Sequence, residues 1–230
     1  MSTVSPWLYL VLAHLVADFI FQPYELVRLK QRPIGLALHA GIHGVFTALM
    51  AAPIFPRWWL IVPILSVTHY VVDHMKVTAG KHDGPASVVL FLGDQAIHLA
   101  VLAAAVRVAG LPLGGEIPIG SPALTAVLYY AIPYVAVTFA GAILTYQVSL
   151  AYRTRSSPEE FLAPRLRVAG YAERGLLLTV VLFLAPAFWL LGAAWYLLRF
   201  GLDRHRPGAR VEVGTSLALT LVLGLLFRQG

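Results

Sequence analysis

The amino-acid sequence predicts an all-α, polytopic integral membrane helix bundle with about seven apolar spans. Of its 230 residues, 59% are hydrophobic and only 12% are charged, whereas about a quarter of the residues of a soluble domain are charged. The mean hydropathy of +0.76 points the same way. Apolar runs near the length of about 20 residues that crosses a bilayer lie at 7–22, 34–55, 58–76, 86–109, 123–150, 174–198 and 213–227.

Basic residues between these runs predict the orientation of the bundle. Lys and Arg are concentrated in cytoplasmic loops, so the first, third and fifth connections are expected in the cytoplasm and the N-terminus outside. A single span over 174–198 would leave the arginines that follow it outside, against this rule. We therefore favour a helical hairpin around Pro186. The cytoplasmic connections are marked by Arg28, Lys30, Arg32, Lys76, Lys81, Arg153, Arg155, Arg165 and Arg167.

Charge and cysteine content exclude several classes of function. The net charge of +6 comes mostly from arginines between apolar runs, which is typical of membrane loops, and we do not expect nucleic-acid binding. The chain has no cysteine, which excludes disulfides, thiolate metal sites and cysteine nucleophiles. We expect one transmembrane domain over 1–230, with a four-helix core at 1–110 and supporting helices at 111–230.

Four of the early apolar helices each carry two ionisable side chains four residues apart. Positions i and i+4 share one helix face, and ionisable groups inside a membrane are costly and mark functional sites. Counted from the cytoplasmic ends, the pairs lie roughly 5–12 residues or about 7–18 Å deep. They are therefore expected to converge at one level. The pairs are His14 with Asp18, His39 with His43, His69 with Asp73, and Asp94 with His98.

Imidazole and carboxylate groups without thiolate suit a divalent transition metal such as Zn, Mn or Fe. Eight candidate ligands exceed the need of one tetrahedral ion, so we expect one or two ions, with some of the side chains orienting the others. A proton or ion pathway and plain interhelical hydrogen bonds are the alternatives. The predicted metal ligands are His14, Asp18, His39, His43, His69, Asp73, Asp94 and His98.

Catalytic roles follow from the same positions. A carboxylate that is not fully committed to metal, Asp94 or Asp18, is the candidate general base. Lys76 lies within one helical turn of the pairs, where its ammonium group would hold an anionic substrate group such as phosphate. The alternative for Lys76 is a cation that snorkels to the inner membrane surface. Gln22 and Gln95 are further candidate substrate contacts.

Other ionisable residues are expected to have lesser roles. His82 and Asp83 are expected in a solvated loop at the membrane edge, or lining the mouth of the site. Glu173 and Arg199 lie at the ends of spans, where charges cost least, so anchoring or an ion pair is expected. The functional alternative is that they reach the cytoplasmic mouth.

The segments HLVADFIFQ, LHAGIH, HYVVDHMK and DQAIH resemble a bacterial family of integral membrane proteins catalogued as domain of unknown function 3307. The likeness continues more weakly through AGYAERGLLL and VEVGTSLAL. The resemblance implies a multi-pass protein of the bacterial inner membrane and supplies no activity. A fainter likeness, in the HxxxD spacing alone, is to membrane-bound metal-dependent hydrolases.

Two function classes remain open from the sequence. We favour a metal-dependent hydrolase that acts at the cytoplasmic face on a lipid or phosphoester, with membrane lipid as its partner, because the polar residues cluster at one depth. A metal-ion or proton transporter or channel using the same His/Asp cluster is the alternative, although its pathway should continue toward the other face. A structural subunit with a polar core is a third possibility.

Overall fold

The computed structural model is all-helical apart from one pair of two-residue strands, and it describes residues 3–80, 84–110, 117–118, 122–152, 164–202 and 208–228. The strands β1 (Thr3–Val4) and β2 (Ile117–Pro118) pair antiparallel. The helices are α1 (Pro6–Leu15), α2 (Tyr24–Leu29), α3 (Pro33–Ala51), α4 (Trp58–Thr78), α5 (Pro85–Val108), α6 (Pro122–Val135), α7 (Gly141–Ala151), α8 (Pro164–Phe183), α9 (Trp189–Leu202) and α10 (Ala209–Arg228).

Within the described residues, four helical stretches are long and apolar enough to cross a membrane, fewer than the seven or so predicted. The predicted span at 7–22 is the shorter apolar helix Pro6–Ile20. Helix α4 is long enough, but its second half carries the ionisable residues of the sequence HYVVDHMK, which lower its hydropathy. The four stretches are Pro33–Ala51, Pro85–Val108, Thr125–Ala151 and Arg210–Arg228.

The chain divides into two compact units, Met1–Lys81 with Leu92–Ile132, and His82–Phe91 with Pro133–Gly230. In the first unit, α3 packs against both α1 and α4. A Cβ at Gly44 would lie 2.8 Å from Ser66 Oγ, so α3 and α4 approach closely there. Helix α4 ends at Thr78, and Gly80 follows with a φ of 86°, which suits glycine and is common just past a helix end. This places Lys76 in the last turn of α4.

The turn between α2 and α3 leaves no room for a side chain at Gly35. A Cβ there would clash with the Leu29 carbonyl oxygen and would lie 2.6 Å from Lys30 N. Because these are backbone atoms, they cannot rotate away. We expect Gly35→Ala to destabilise the protein by about 1–3 kcal/mol, the usual penalty of overpacking, and to displace Lys30. The measurement is the thermal unfolding midpoint in detergent.

Gly41 provides the matched control for this substitution. It lies in the same helix, and a Cβ there would meet nothing within 4 Å. Alanine favours a helix interior over glycine by about 1 kcal/mol, so Gly41→Ala should hold or raise the unfolding midpoint. If both variants unfold at the wild-type temperature, the claim that the backbone leaves no room for a side chain at Gly35 is wrong.

The second unit contains a helical hairpin. Helix α8 ends at Phe183, a short 3₁₀ turn follows at Pro186–Phe188, and α9 returns. The Glu173 carboxylate pairs with Arg199 across the two arms, and a Cβ at Gly192 would meet Leu177 Cδ1. The run predicted as 174–198 is therefore two helices that turn at Pro186, which agrees with the favoured hairpin. Of the two expected roles of Glu173 and Arg199, anchoring or an ion pair, they form an ion pair, and they form it with each other. The side on which the turn lies stays a prediction.

Arg228, at the end of α10, contacts the turn between the two helices of the hairpin. Its Nη1 donates hydrogen bonds to the carbonyl oxygens of Val181, at 2.5 Å, and Leu184, at 2.8 Å, and its guanidinium lies over the Trp189 ring. The last carbonyls of a helix have no partner within the helix. Arg228 therefore supplies donors where α8 breaks, which is valuable where water is scarce.

Candidate metal centre

The first unit brings the eight predicted ligands together. All eight side chains belong to buried residues, with between 0% and 7% of their surface exposed. Helix α1 and the π-helical turn that continues it supply two of them, and α3, α4 and α5 supply two each. The residues are His14, Asp18, His39, His43, His69, Asp73, Asp94 and His98. Their roles as ligands stay a prediction, but their convergence is a property of the fold.

Asp18 lies at the centre of the cluster. Its Oδ1 accepts hydrogen bonds from Nε2 of His39 at 2.9 Å and of His43 at 3.0 Å. The Nε2 of His69 is 3.6 Å from the same oxygen. One carboxylate oxygen thus faces three imidazole nitrogens from two different helices.

The backbone around Asp18 departs from α geometry. Residues Val16–Ile20 form a π-helical turn that continues α1, and such turns occur frequently at functional sites. His14, four residues earlier, keeps its Nε2 at 3.6 Å from Asp18 Oδ2. The wider turn therefore presents Asp18 to α3 and α4 without separating it from its helical neighbour.

Asp73 and Asp94 are the other two carboxylates of the cluster and lie beside the imidazoles. Asp73 Oδ2 lies 3.5 Å from Nε2 of both His39 and His69, and its Oδ1 lies 3.8 Å from His98 Nε2. The Nε2 of His98 is also 3.4 Å from Asp94 Oδ1. His98 thus stands between the two carboxylates.

The donor atoms fall into three overlapping groups that could hold a metal ion. In each group the candidate ligand atoms lie within 4.8 Å of one another. Ligands around a tetrahedral ion with bonds of about 2.0–2.1 Å stand about 3.3 Å apart, close to the separations around Asp18. The groups are Asp18, His39, His43 and His69; His14, His69 and His98; and Asp73, Asp94 and His98.

Two further observations show that the donor set fits a metal. Among the described residues, the buried atoms His69 Nε2, His98 Nε2 and Asp94 Oδ1 have polar neighbours at 3.4–3.8 Å but form no well-directed hydrogen bond, and buried polar atoms are normally satisfied. The His43 and His69 rings stack with centroids 3.5 Å apart. Protonated imidazolium rings would repel at this distance. Neutral imidazoles offer lone pairs to a cation.

Gln95 links the two sides of the cluster. Its Nε2 donates to Asp18 Oδ2 at 3.3 Å and to Asp94 Oδ2 at 3.2 Å, and its Oε1 is 3.4 Å from His14 Nε2. These contacts orient two carboxylates and one imidazole. The predicted substrate role of Gln95 stays a prediction, while the geometry favours an orienting role.

Two lysines border the carboxylates. Lys76 Nζ donates to Asp94 Oδ2 at 2.6 Å. Lys30 Nζ lies 2.5 Å from Asp73 Oδ2 and donates to Gln22 Oε1 at 2.9 Å. Gln22 therefore meets the cluster through Lys30. The sequence alone indicates only a loop cation at Lys30. The one feature of the sequence that could link it to the site is that Lys30 and Lys76 are predicted at the same face of the membrane.

A small cavity lies at the histidine end of the cluster. Four of the imidazoles line it, and the remaining lining residues are two threonines and three aliphatic side chains. Along α3 and α4, it lies on the side away from Lys30 and Lys76. The lining residues are His14, His43, His69, His98, Thr47, Thr68, Leu65, Val101 and Leu102.

The second unit holds a separate buried cation, Arg174. Its Nη2 donates to the Thr138 carbonyl oxygen at 3.0 Å and its Nη1 to Ser216 Oγ at 3.4 Å. Thr138 lies in a second π-helical turn, Ala136–Ala140. The predictions for His82 and Asp83 concern residues outside the described part of the chain.

Comparison with known proteins supports a family and no activity. Residues 7–113 match the model of a family described as protein of unknown function (DUF3307). This match confirms the resemblance over a segment that contains every residue of the candidate metal centre. The likeness expected beyond residue 113 stays a prediction. No curated protein and no solved structure matches the chain.

Proposed function

We propose that this protein is a membrane-embedded, metal-dependent hydrolase that acts at the cytoplasmic face on a lipid or phosphoester. The observation that carries the proposal is the convergence of five histidines and three aspartates in one buried cluster. Burying so many ionisable groups is unfavourable unless they are paired or bind metal. A bound divalent metal would offset the free-energy cost of burying these groups.

The cluster has room for one or two ions of Zn, Mn or Fe. The four-residue group around Asp18 offers three imidazoles and a carboxylate, a set that suits zinc. The group of Asp73, Asp94 and His98 is richer in oxygen, which favours harder metals such as Mn. Facing helices of a bundle build dinuclear sites from such side chains.

Asp94 is the better of the two candidate general bases. Its buried Oδ1 faces His98 Nε2 at 3.4 Å without a well-directed hydrogen bond, whereas Asp18 Oδ1 accepts hydrogen bonds from two imidazoles. A metal held in the cluster would supply Lewis acidity and acidify a bound water. Asp94 Oδ1 would accept a proton from the attacking water, and Lys76 would hold the carboxylate in place through Oδ2.

The long apolar helices support a location in a membrane. Four helical stretches meet the length and hydropathy of a membrane span, and the cluster lies among helices rich in exposed Leu, Val and Ile. We propose the bacterial inner membrane, with lipid as the partner and with no nucleic acid. A lipid substrate would reach the site from the bilayer.

The test combines metal content with turnover. Protein purified without chelator should contain about one or two divalent ions per chain and should hydrolyse anionic phosphoesters in a panel of lipids and soluble esters. Asp94→Asn should lower kcat by at least about 100-fold, the lower end of the usual contribution of general-base catalysis. The readouts are elemental analysis and release of inorganic phosphate.

Arg57→Met is the control, because Arg57 is exposed at the opposite end of α4. It should change neither metal content nor kcat. Full turnover by Asp94→Asn would remove its assigned role. A metal-free protein that metals do not stabilise would contradict the whole proposal.

Transport of metal ions or protons is the second candidate, and the cavity favours it. The cavity extends past the imidazoles to Thr47 and Val101, beyond the metal-binding groups and away from the lysines. A transporter needs such a continuation. Reconstitution in liposomes distinguishes the two: uptake of Zn or Mn that Thr47→Leu blocks, without hydrolysis, would favour transport.

A further inference from the structure

Both lysines at the cluster are paired with carboxylates that are candidate metal ligands. Lys30 Nζ lies 2.5 Å from Asp73 Oδ2 and Lys76 Nζ lies 2.6 Å from Asp94 Oδ2. Asp73 and Asp94 belong to one candidate metal group, with ligand atoms within 4.8 Å. The two ammonium groups therefore border the same end of the cluster.

The charge of the cluster changes sign when metal binds. Three carboxylates and two ammonium groups leave a formal charge of −1 while the imidazoles are neutral. Each divalent ion adds two positive charges, so one ion brings the cluster to +1 and two bring it to +3. Excess charge of one sign is costly in a poorly solvated site. A metal-loaded cluster thus attracts an anion, and it does so most strongly when two ions are bound.

The lysines are placed to receive that anion. The Lys76 side chain is 42% exposed, so an incoming group can reach this end from its side, whereas the Lys30 side chain is 13% exposed and lies deeper. Lys30 also holds Gln22 Oε1, and the amide of Gln22 carries two further N–H donors. When metal engages the carboxylates, both ammonium groups lose part of their counter-charge and keep their donors.

We propose that Lys30 and Lys76, with Gln22, bind the phosphate group of an anionic phosphate ester at the open end of the metal centre. The proposal rests on the proposed function and narrows its substrate to phosphate-bearing molecules. Lysine binds phosphate as a point charge with three donors. A phospholipid headgroup and a soluble phosphate ester share this chemistry.

The test uses full-length, metal-loaded protein in neutral detergent. Inorganic phosphate is one probe and short-chain phosphatidic acid is the other, with the thermal unfolding midpoint followed against probe concentration, since ligand binding raises it by mass action. Lys76→Met should weaken binding of both probes by about tenfold or more, as loss of a charged hydrogen-bond donor does. The double variant Lys30→Met, Lys76→Met should abolish it.

Charge-retaining and distant variants serve as controls. Lys76→Arg and Arg57→Met should keep phosphate binding close to wild type. If Lys30→Met fails to fold, Lys76→Met alone carries the test, because its side chain is the more exposed. Binding of both probes supports recognition of the phosphate itself, whereas binding of phosphatidic acid alone identifies a lipid headgroup as the source.

The metal content separates the two possible failures. A wild-type protein that holds no metal contradicts the proposed function. If the wild-type protein holds metal but binds neither probe, the phosphate site is wrong and the metal centre is not affected. The same conclusion follows if the lysine double variant binds both probes as well as the wild type does. In that case the lysines only neutralise Asp73 and Asp94.

Discussion

The Asp18→Asn variant is expected to lose metal binding almost completely. Asp18 Oδ1 lies within 3.6 Å of three imidazole nitrogens, on His39, His43 and His69, so an ion held by those rings also meets this oxygen. Asparagine keeps the shape and removes the negative charge. Loss of an outer-shell partner alone costs about 10–100-fold in metal affinity, so we expect at least about 100-fold from losing a ligand.

Competition with a chromophoric chelator measures that affinity directly. Glu25→Gln is the matched control, because Glu25 is an exposed carboxylate of the same unit in the first turn of α2. It should bind metal as the wild type does. Wild-type affinity in Asp18→Asn would show that the group around Asp18 is not the metal centre.

The second large effect is expected on stability, in chelator-treated Asp73→Asn. The Lys30 ammonium group, largely buried, lies 2.5 Å from Asp73 Oδ2, and the neutral amide would leave it without its counter-charge. Breaking a buried ion pair by removing one partner costs about 3–5 kcal/mol. We discount this to about 2–4 kcal/mol because Lys30 keeps some exposure and a bond to Gln22. Unfolding in detergent by a chemical denaturant measures the loss.

Removing the second partner should restore stability. The double variant Asp73→Asn, Lys30→Met should unfold at a higher denaturant concentration than Asp73→Asn alone, since no unpaired charge remains. The coupling between the two sites can be read from the four proteins of the cycle. Additive effects would mean that Lys30 and Asp73 do not interact.

The sequence predicted the site better than the bundle around it. His and Asp at i and i+4 on apolar helices are costly in lipid; a single pair such as His69 with Asp73 also fits a plain interhelical hydrogen bond, and it is the four pairs at matched depth that indicate a shared site. The equal depths of the pairs predicted that α3, α4 and α5 would bring them to one level. Helical periodicity and the cost of burying charge were sufficient for that inference.

Details set by tertiary packing lay beyond the sequence. Nothing in the residues Val16–Ile20 marks a π-helical turn, because the turn depends on what Asp18 contacts across the bundle. The sequence alone indicates only a loop cation at Lys30, because its partner, Asp73, lies more than 40 positions away in the chain. The break at Pro186 is predictable from the sequence, since proline interrupts a helix. The arginines after residue 198 also favour a chain that turns back to the cytoplasmic side.

X-ray absorption at the metal edge of the purified wild-type protein tests the central claim most directly. The scattering reports the ligand atoms around the ion, and imidazole rings produce a distinctive outer shell. We predict nitrogen and oxygen ligands at about 2.0–2.2 Å with two to three imidazoles per ion, in keeping with zinc sites built from His and Asp. An ion surrounded by oxygen alone, or a protein without bound metal, would contradict the claim that these histidines and aspartates form a metal centre.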